Sequence, residues 1–455
     1  MTPIRWLITD DIPAGVQAYK YNPEFRTWLR AASAFCTKRL LAIENRSLLL
    51  VADRPSKTLR DRVDRFLRAP DVHLFYLHKE MMRAGGVLSG HTLEARQAAF
   101  FGLWRVVREG GSLPRELNPS KACGEPFNMC SQRKSSGRGW RTVYKFGIAR
   151  CVRQQIVNDA LMAASASQYR TQFMYTEGGR HEAIRAIETV VDSDPSLTHW
   201  AKLDLANCFD NINLSRAHEV LPVKRKVVQH TISINQQEAI DRRQLEHLQF
   251  ERSKQILLDS LSGSDYWPSA SSYPLTLPQG AATSPRVAYW LIERGLPPLN
   301  PAREFMYGDD LLILGQTTQE VSVRASMFRE LFRRHAAGPL QLIGEVGELA
   351  GGVEFLGMHI SRAEHHSLFT GKQATYAAVD LADGARERFL AKVRAKIQSG
   401  VASGDVALTE ACRYIERFLN ALPTGNRMPL VLAACAVARQ CGGDPNAVMN
   451  VIAAI

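Results

Sequence analysis

Residues 305–314 read FMYGDDLLIL, an apolar run broken only by Gly308 and the adjacent acids Asp309 and Asp310. Apolar segments on both sides of a glycine predict two strands of a hairpin, with the glycine allowing a tight turn and both carboxylates at its tip. Bare carboxylates beside a buried strand are costly, and as neighbours they raise one another's pKa. The stretch therefore calls for a cation, or else it is a plain surface turn, which the tripeptide GDD by itself also suits.

A third acid sharpens the choice. In HWAKLDLANCFDNINL, Asp204 ends a short strand-like run and is followed by Phe209 and Asp210. Two strands with carboxylates at adjacent tips make an all-oxygen site of the kind Mg²⁺ prefers, with Mn²⁺ as a substitute. Two such ions about 4 Å apart activate an attacking hydroxyl and stabilise a leaving pyrophosphate. Between these stretches, YPLTLPQGAATSPRVAYWLI has a Gly-containing loop that opens into an apolar helix pattern.

Composition narrows the partners. The chain has 455 residues, 57 Lys and Arg against 45 Asp and Glu, and a net charge of +12. A basic balance of this size suits a polyanion, nucleic acid before an anionic membrane. Apolar runs such as LLLVA at residue 48 are far short of the roughly 20 residues of a span, and MTPIRWLITDD lacks the apolar core of a secretory signal. The eight cysteines are scattered without a CxxC, which argues against a zinc module or disulfide framework and predicts a reducing cytoplasm.

Along the chain, residues 1–120 predict a helical extension that carries the basic stretch RPSKTLRDRVDRFLRAP, either a solvated helix face or a nucleic-acid contact. The basic, Gly- and Ser-rich NPSKACGEPFNMCSQRKSSGRGW from Asn118 reads as a boundary or exposed loop. Residues 121–365 mix short strands and helices in an α+β pattern, and residues 366–455 are helical. There, ARERFLAKVRAKIQSG spaces Phe389, Val393 and Ile397 on one helical face, with Arg386, Arg388, Lys392, Arg394 and Lys396 elsewhere on the helix.

Order and spacing of these pieces resemble a reverse transcriptase of the prokaryotic group that includes retron, defence-associated and group II intron enzymes. LDLANCFDNI resembles motif A, LPQGAATSP motif B, YGDD motif C and VEFLGMHI the primer-grip motif E. GRGWRTVYKFGIARCVRQQIV and YTEGGRHEAIRAI resemble the two fingers motifs, so six motifs stand in the family's order from about Lys134 to Ile360. The resemblance implies a right-hand polymerase with fingers and palm, an antiparallel sheet flanked by helices, and a helical thumb. By position, Asp204, Asp309 and Asp310 become the metal carboxylates, with the carbonyl of Leu205 as a further ligand. Arg141 falls on the incoming triphosphate, with Lys145 and Arg180 as helpers, and Gln279 and Gly280 line the nucleotide pocket. Phe355, Leu356 and Gly357 seat the primer terminus.

The same resemblance bears on the product. Gly308 before the two acids is common in viral RNA-dependent RNA polymerases, but those carry Asp five residues after the first catalytic acid. This chain has Phe209, which would collide with a ribose 2′-hydroxyl and favours deoxynucleotides. RNA-directed DNA synthesis is the expected activity, with an RNA polymerase, or template-independent or protein-primed DNA synthesis, as alternatives. The family's lysine before motif E is missing from LQLIGEVGELAGGVEFLG, leaving Arg333, Arg334 or His335 as candidates for its role. LFTGKQATYAAV keeps only Thr370 and Gly371 of the retron VTG signature, and no nuclease or integrase pattern follows. The resemblance then implies a dedicated non-coding RNA as template, dNTPs as substrates, a DNA product and a role in anti-phage defence. A homo-oligomer or a partner defence protein both remain open.

Overall fold

The computed structural model describes residues 12–47, 55–83, 86–88, 90–125, 127–133, 140–165, 172–175, 179–234, 277–294, 296–297, 299–366, 373–382, 384–402, 408–420 and 427–453. They divide into two compact units. The first comprises Met1–Gln168, Asn207–Gly295 and Arg334–Leu340; the second comprises Tyr169–Ala206, Leu296–Arg333 and Gln341–Ile455. Both mix helices with antiparallel sheet. Among the described residues, no helix is long and apolar enough to cross a membrane.

The first unit opens with α1 (Ile12–Tyr21), α2 (Pro23–Ser47), α3 (Lys57–Arg68), α4 (Pro70–Met82) and α5 (Leu93–Arg108). Phe25 of α2 meets Phe100, Phe101 and Trp104 of α5 at ring separations of 5.2 to 6.0 Å, and all four are buried. In α3 the apolar residues Leu59, Val63, Phe66 and Leu67 recur at helical spacing and are fully buried, while Ser56 caps the helix by accepting from Leu59 N. Then come β1 (Phe127–Arg133), β2 (Trp140–Phe146) and α6 (Ile148–Ala164).

Strand β1 lies inside the segment expected to be a boundary or exposed loop. It pairs with β2 along its whole length, from Phe127 opposite Phe146 to Arg133 opposite Trp140. Phe127, Tyr144 and Phe146 form a small core with Ile234 and Ala281, so burial of cross-strand aromatics overrides the turn-rich composition. The fully buried guanidinium of Arg153 in α6 donates to the carbonyls of Pro119, Lys121 and His230 and to Thr231 Oγ1. It thereby ties three distant stretches together.

The chain next forms α7 (Arg180–Ser193) and β3 (His199–Leu205) in the second unit. It returns to the first unit for the short helices α8 (Cys208–Asn211), α9 (Ala217–Val220) and α10 (Arg225–Val227), and for α11 (Ser284–Glu293). The rest of the second unit is β4 (Glu304–Tyr307), β5 (Asp310–Gly315), α12 (Thr318–Arg333), β6 (Leu342–Glu348), β7 (Val353–Phe355), β8 (Met358–His366) and β9 (Gln373–Leu381). Helices α13 (Ala385–Ala402), α14 (Thr409–Asn420), α15 (Arg427–Gln440) and α16 (Pro445–Ala453) close the chain.

The second unit is organised by a four-stranded antiparallel sheet in the order β4-β5-β3-β6. Strands β5 and β3 occupy the centre, and residues 311–315 of β5 are all buried, which explains its unbroken apolar reading. One continuous core runs from Ile184, Ile187 and Val191 of α7 through Phe305, Leu312 and Leu314 to Phe355, Met358 and Ile360. It continues into the C-terminal helices, where Phe389, Val393 and Ile397 are buried as their spacing predicts.

Candidate functional site

The central strand pair fixes the carboxylates. In the antiparallel register of β3 and β5, Asp204 lies directly opposite Asp310. Directly opposed residues hold their Cβ atoms about 5 Å apart, and like charges there are destabilising. Both carboxylates are only half-buried in the surrounding chain. Lys202, on the strand of Asp204, is an opposing charge, and burial dominates over it. Burial pushes the Asp310 carboxyl up to about 7, with Asp309 and then Asp204 adding to the rise and Lys202 lowering it. Burial also raises Asp309.

The turn carrying these acids is held from two sides. Tyr307 pairs with Asp310 across β4 and β5, so Gly308 and Asp309 are the two central residues of the hairpin. Gly308 has φ 70°, and Asp309 is not in the positive-φ region, the pattern of a type II′ turn with glycine first. The side chain of Gln172, fully buried, donates from Nε2 to the Gly308 carbonyl at 3.0 Å and accepts from Gly308 N at 2.9 Å. A parallel bridge between Gln172 and Met306 adds to this clamp. From the other side, Leu205 N donates to the Asp309 carbonyl at 3.2 Å. Gln172 carries no signal in the sequence, since a lone glutamine directly before Phe173 belongs to no recognised pattern.

A fit to a divalent cation rests on chemistry. Three oxygen acids converge on the end of two strands; burial opposes ionisation of Asp309 and Asp310, the neighbouring acids add to this at Asp310, and a bound cation would reverse it. Among the described residues, however, no three His, Cys, Asp or Glu side chains are already grouped as ligands of one ion. Further oxygens, such as main-chain carbonyls, would have to complete such a site.

The turn between β7 and β8 is strained. Phe355 pairs with Met358, leaving Leu356 and Gly357 as central residues with φ 52° and 78°. Positive φ at both positions is the type I′ pattern, and a leucine there costs roughly 1–2 kcal/mol. Phe355 itself is core, Leu356 packs against that core, and Gly357 is exposed. The accessible part of the expected primer grip is therefore the turn and not the phenylalanine. Arg180, at the first turn of α7, lies near this hairpin: a Cβ on Gly357 would sit 3.7 Å from its Nη1. Its guanidinium is 5.8 Å from the Phe418 ring centre, burial lowers its pKa, and Tyr307 and Tyr414 act against that fall. Its Nε is buried without a hydrogen-bond partner.

The remaining predicted residues fall in the first unit. Gln279 and Gly280 precede α11, as the loop-to-helix reading expects, and the Gln279 carbonyl accepts from Tyr144 N at 2.7 Å. Gly280 has φ 101°, and a Cβ there would lie 2.6 Å from the Tyr144 carbonyl, so this glycine serves the close approach of the loop to β2. That contact brings Gln279 and Gly280 to the strand that carries Arg141, opposite Gln132, and the exposed Lys145, opposite Asn128. Phe209 is half-buried on α8.

His335 does not suit the missing lysine's role. It is buried, its Nδ1 accepts from Ala337 N, its Nε2 lies 2.9 Å from the Ile292 carbonyl, and burial lowers its pKa. Arg333 is exposed and forked onto Glu330 at 2.7 and 2.8 Å. Thr370 and Gly371 lie outside the described residues.

No protein-family model matches the sequence, and no curated relative does. Among solved structures the chain is similar to apo telomerase from Candida tropicalis, with a TM-score of 0.34 and 10% identity, over 99% of this chain and 89% of that one.

Proposed function

We propose that this chain is an RNA-directed DNA polymerase that adds dNTPs to a primer 3′-hydroxyl. The observation that carries the reading is the direct opposition of Asp204 and Asp310 at the ends of two central strands, with Asp309 in the adjoining turn. A soluble fold gains nothing from three acids placed this way, whereas a two-ion nucleotidyl transfer requires them. Asp204, Asp309 and Asp310 would hold Mg²⁺, with the Leu205 carbonyl as an added oxygen. Bound there, the ions supply activation of the attacking hydroxyl and neutralisation of charge on the leaving pyrophosphate. Gln172 and Leu205 N hold the acidic turn in one conformation, so little reorganisation is needed as substrate binds. The strained turn at Leu356 and Gly357 presents backbone to the primer end, a place where stored strain is common.

Sequence position assigns the other roles. Arg141 and Lys145 meet the triphosphate, where a guanidinium can bind bidentately. Gln279 and Gly280 border the nucleotide, and Phe209 excludes the 2′-hydroxyl. Gly308 loses its weight as a pointer to RNA synthesis, because φ 70° at the first central residue favours glycine whatever the product. A structured non-coding RNA as template, and protection against phage as the biological role, complete the proposal.

Primer extension on an RNA template with Mg²⁺ and either nucleotide set tests it. Incorporation of dNTPs that is abolished by Asp309→Ala supports the reading. Equal or preferred use of rNTPs, or synthesis indifferent to Asp309→Ala, would sink it.

A further inference from the structure

The first unit brings together basic residues that are about 160 positions apart in the chain. Helix α3 spends Leu59, Val63, Phe66 and Leu67 in the core, each no more than 1% exposed. Lys57, Arg65 and Arg68 are left on its exposed side. The stretch around α10 comes to this helix: Lys224 Nζ is 2.8 Å from Asp64 Oδ2, and Arg60 donates to the Glu219 carbonyl at 2.6 Å. Arg225 and Lys226 follow, both exposed. Asp64 is shared by Lys224 and Arg68, the latter at 2.9 Å. Within α3 and Lys224–Lys226 these six exposed cations are accompanied by two acids, Asp61 and Asp64, a local excess of four positive charges.

We propose that α3 and the Lys224–Lys226 turn form a docking surface for the phosphodiester backbone of a folded RNA. The identity of the polyanion rests on the function proposed above; the surface itself does not. A membrane is the poorer partner, because interfacial helices insert apolar side chains. Among the described residues, the exposed large apolar side chains, such as Tyr21 and Leu41, lie on neither α3 nor residues 221–227. A charged face with no exposed large apolar residue on α3 or residues 221–227, carrying several arginines that can fork onto phosphate, matches a phosphate backbone. Clustering cations from two distant stretches also explains why part of the net charge of +12 is concentrated here. Binding through about four phosphates gives a logarithmic salt slope of roughly −3 to −4.

The test uses the full-length protein and a fluorescently labelled stem-loop RNA, titrated across a salt series. The variant carries Lys57→Ala, Arg65→Ala, Arg225→Ala and Lys226→Ala, all exposed positions to which no role in nucleotidyl transfer is assigned. We expect affinity at physiological salt to fall at least about tenfold and the slope to flatten by roughly 3. The charge-keeping variant K57R, R65K, R225K, K226R should retain both, and extension of a short primer–template should stay within about twofold. Unchanged RNA affinity in the alanine variant overturns the proposal. So does a loss confined to anionic phosphatidylserine vesicles, or tighter binding of duplex DNA than of the stem-loop to the wild-type surface. Should the wild-type chain bind RNA through this surface yet incorporate no dNTP, the function proposed above fails and this surface stands.

Discussion

Replacing Asp310 by Asn should stabilise the metal-free protein while it removes activity. Asp310 faces Asp204 across the strand pair and neighbours Asp309, and burial with these two acids pushes its carboxyl from 3.8 up to about 7. At 1.36 kcal/mol per pKa unit this corresponds to about 4 kcal/mol of destabilisation once the group is ionised in both folded and unfolded chains. The sign follows from the direction: a raised carboxyl binds protons more tightly when folded. The penalty is absent below about pH 4, grows as pH rises, and is complete above about pH 7. Asparagine cannot ionise but is itself a partly buried polar group, so we expect a gain of roughly 2–4 kcal/mol at pH 8. For a unit of roughly 190 residues that is a rise of about 4–12 °C in the melting temperature of the second unit. Thermal unfolding in EDTA, for wild type and Asp310→Asn, at pH 4 and pH 8 measures it. A divalent ion at about 100 times its dissociation constant should then stabilise wild type by about 2.7 kcal/mol and the variant by far less. If the variant melts at or below wild type at pH 8 in EDTA, or if the difference is the same at pH 4, burial and the neighbouring acids do not penalise the charged Asp310 as argued.

Other positions make separable predictions. Gln172→Leu removes two buried hydrogen bonds to Gly308, costing about 2–3 kcal/mol, and should lower kcat and raise the Mg²⁺ needed for half-maximal rate while leaving the dNTP KM nearly unchanged. A parallel loss of stability with an unchanged Mg²⁺ requirement would reduce Gln172 to a structural role. Gly308→Ala places a Cβ at φ 70° and should cost about 1 kcal/mol in thermal unfolding, without altering the preference for dNTPs over rNTPs. Gly280→Ala would put a Cβ 2.6 Å from the Tyr144 carbonyl, and we expect a loss of about 1–3 kcal/mol in the first unit by calorimetry. Phe209→Ala should relax sugar selection in single-nucleotide incorporation; unchanged discrimination would remove Phe209 from that role.

Local pattern made much of the second unit legible. FMYGDDLLIL predicts its hairpin because apolar runs and a glycine act within a few residues, and β4, the turn and β5 follow that reading. The spacing of Phe389, Val393 and Ile397 predicts one buried face of α13 for the same reason. The stretch from Asn118 misled because its small and basic residues hide Phe127, whose burial depends on Tyr144 and Phe146 across the ladder. The order of Asp204 before Asp309 and Asp310 is written in the chain, but their opposition is not. It exists because β3 pairs with β5 in a register that sets Asp204 against Asp310, a contact between residues about a hundred apart. Gln172 on Gly308, Gly280 against Tyr144, the strained Leu356 and the spent His335 likewise belong to partners far away in sequence. What the sequence by itself determined was which residues could carry the chemistry and which helices and strands hold them, since periodicity and turn chemistry are short-range. Only the tertiary structure decided which acids face each other, what clamps their turn and which cations merge into one surface, because pairing register and burial are set by the whole chain.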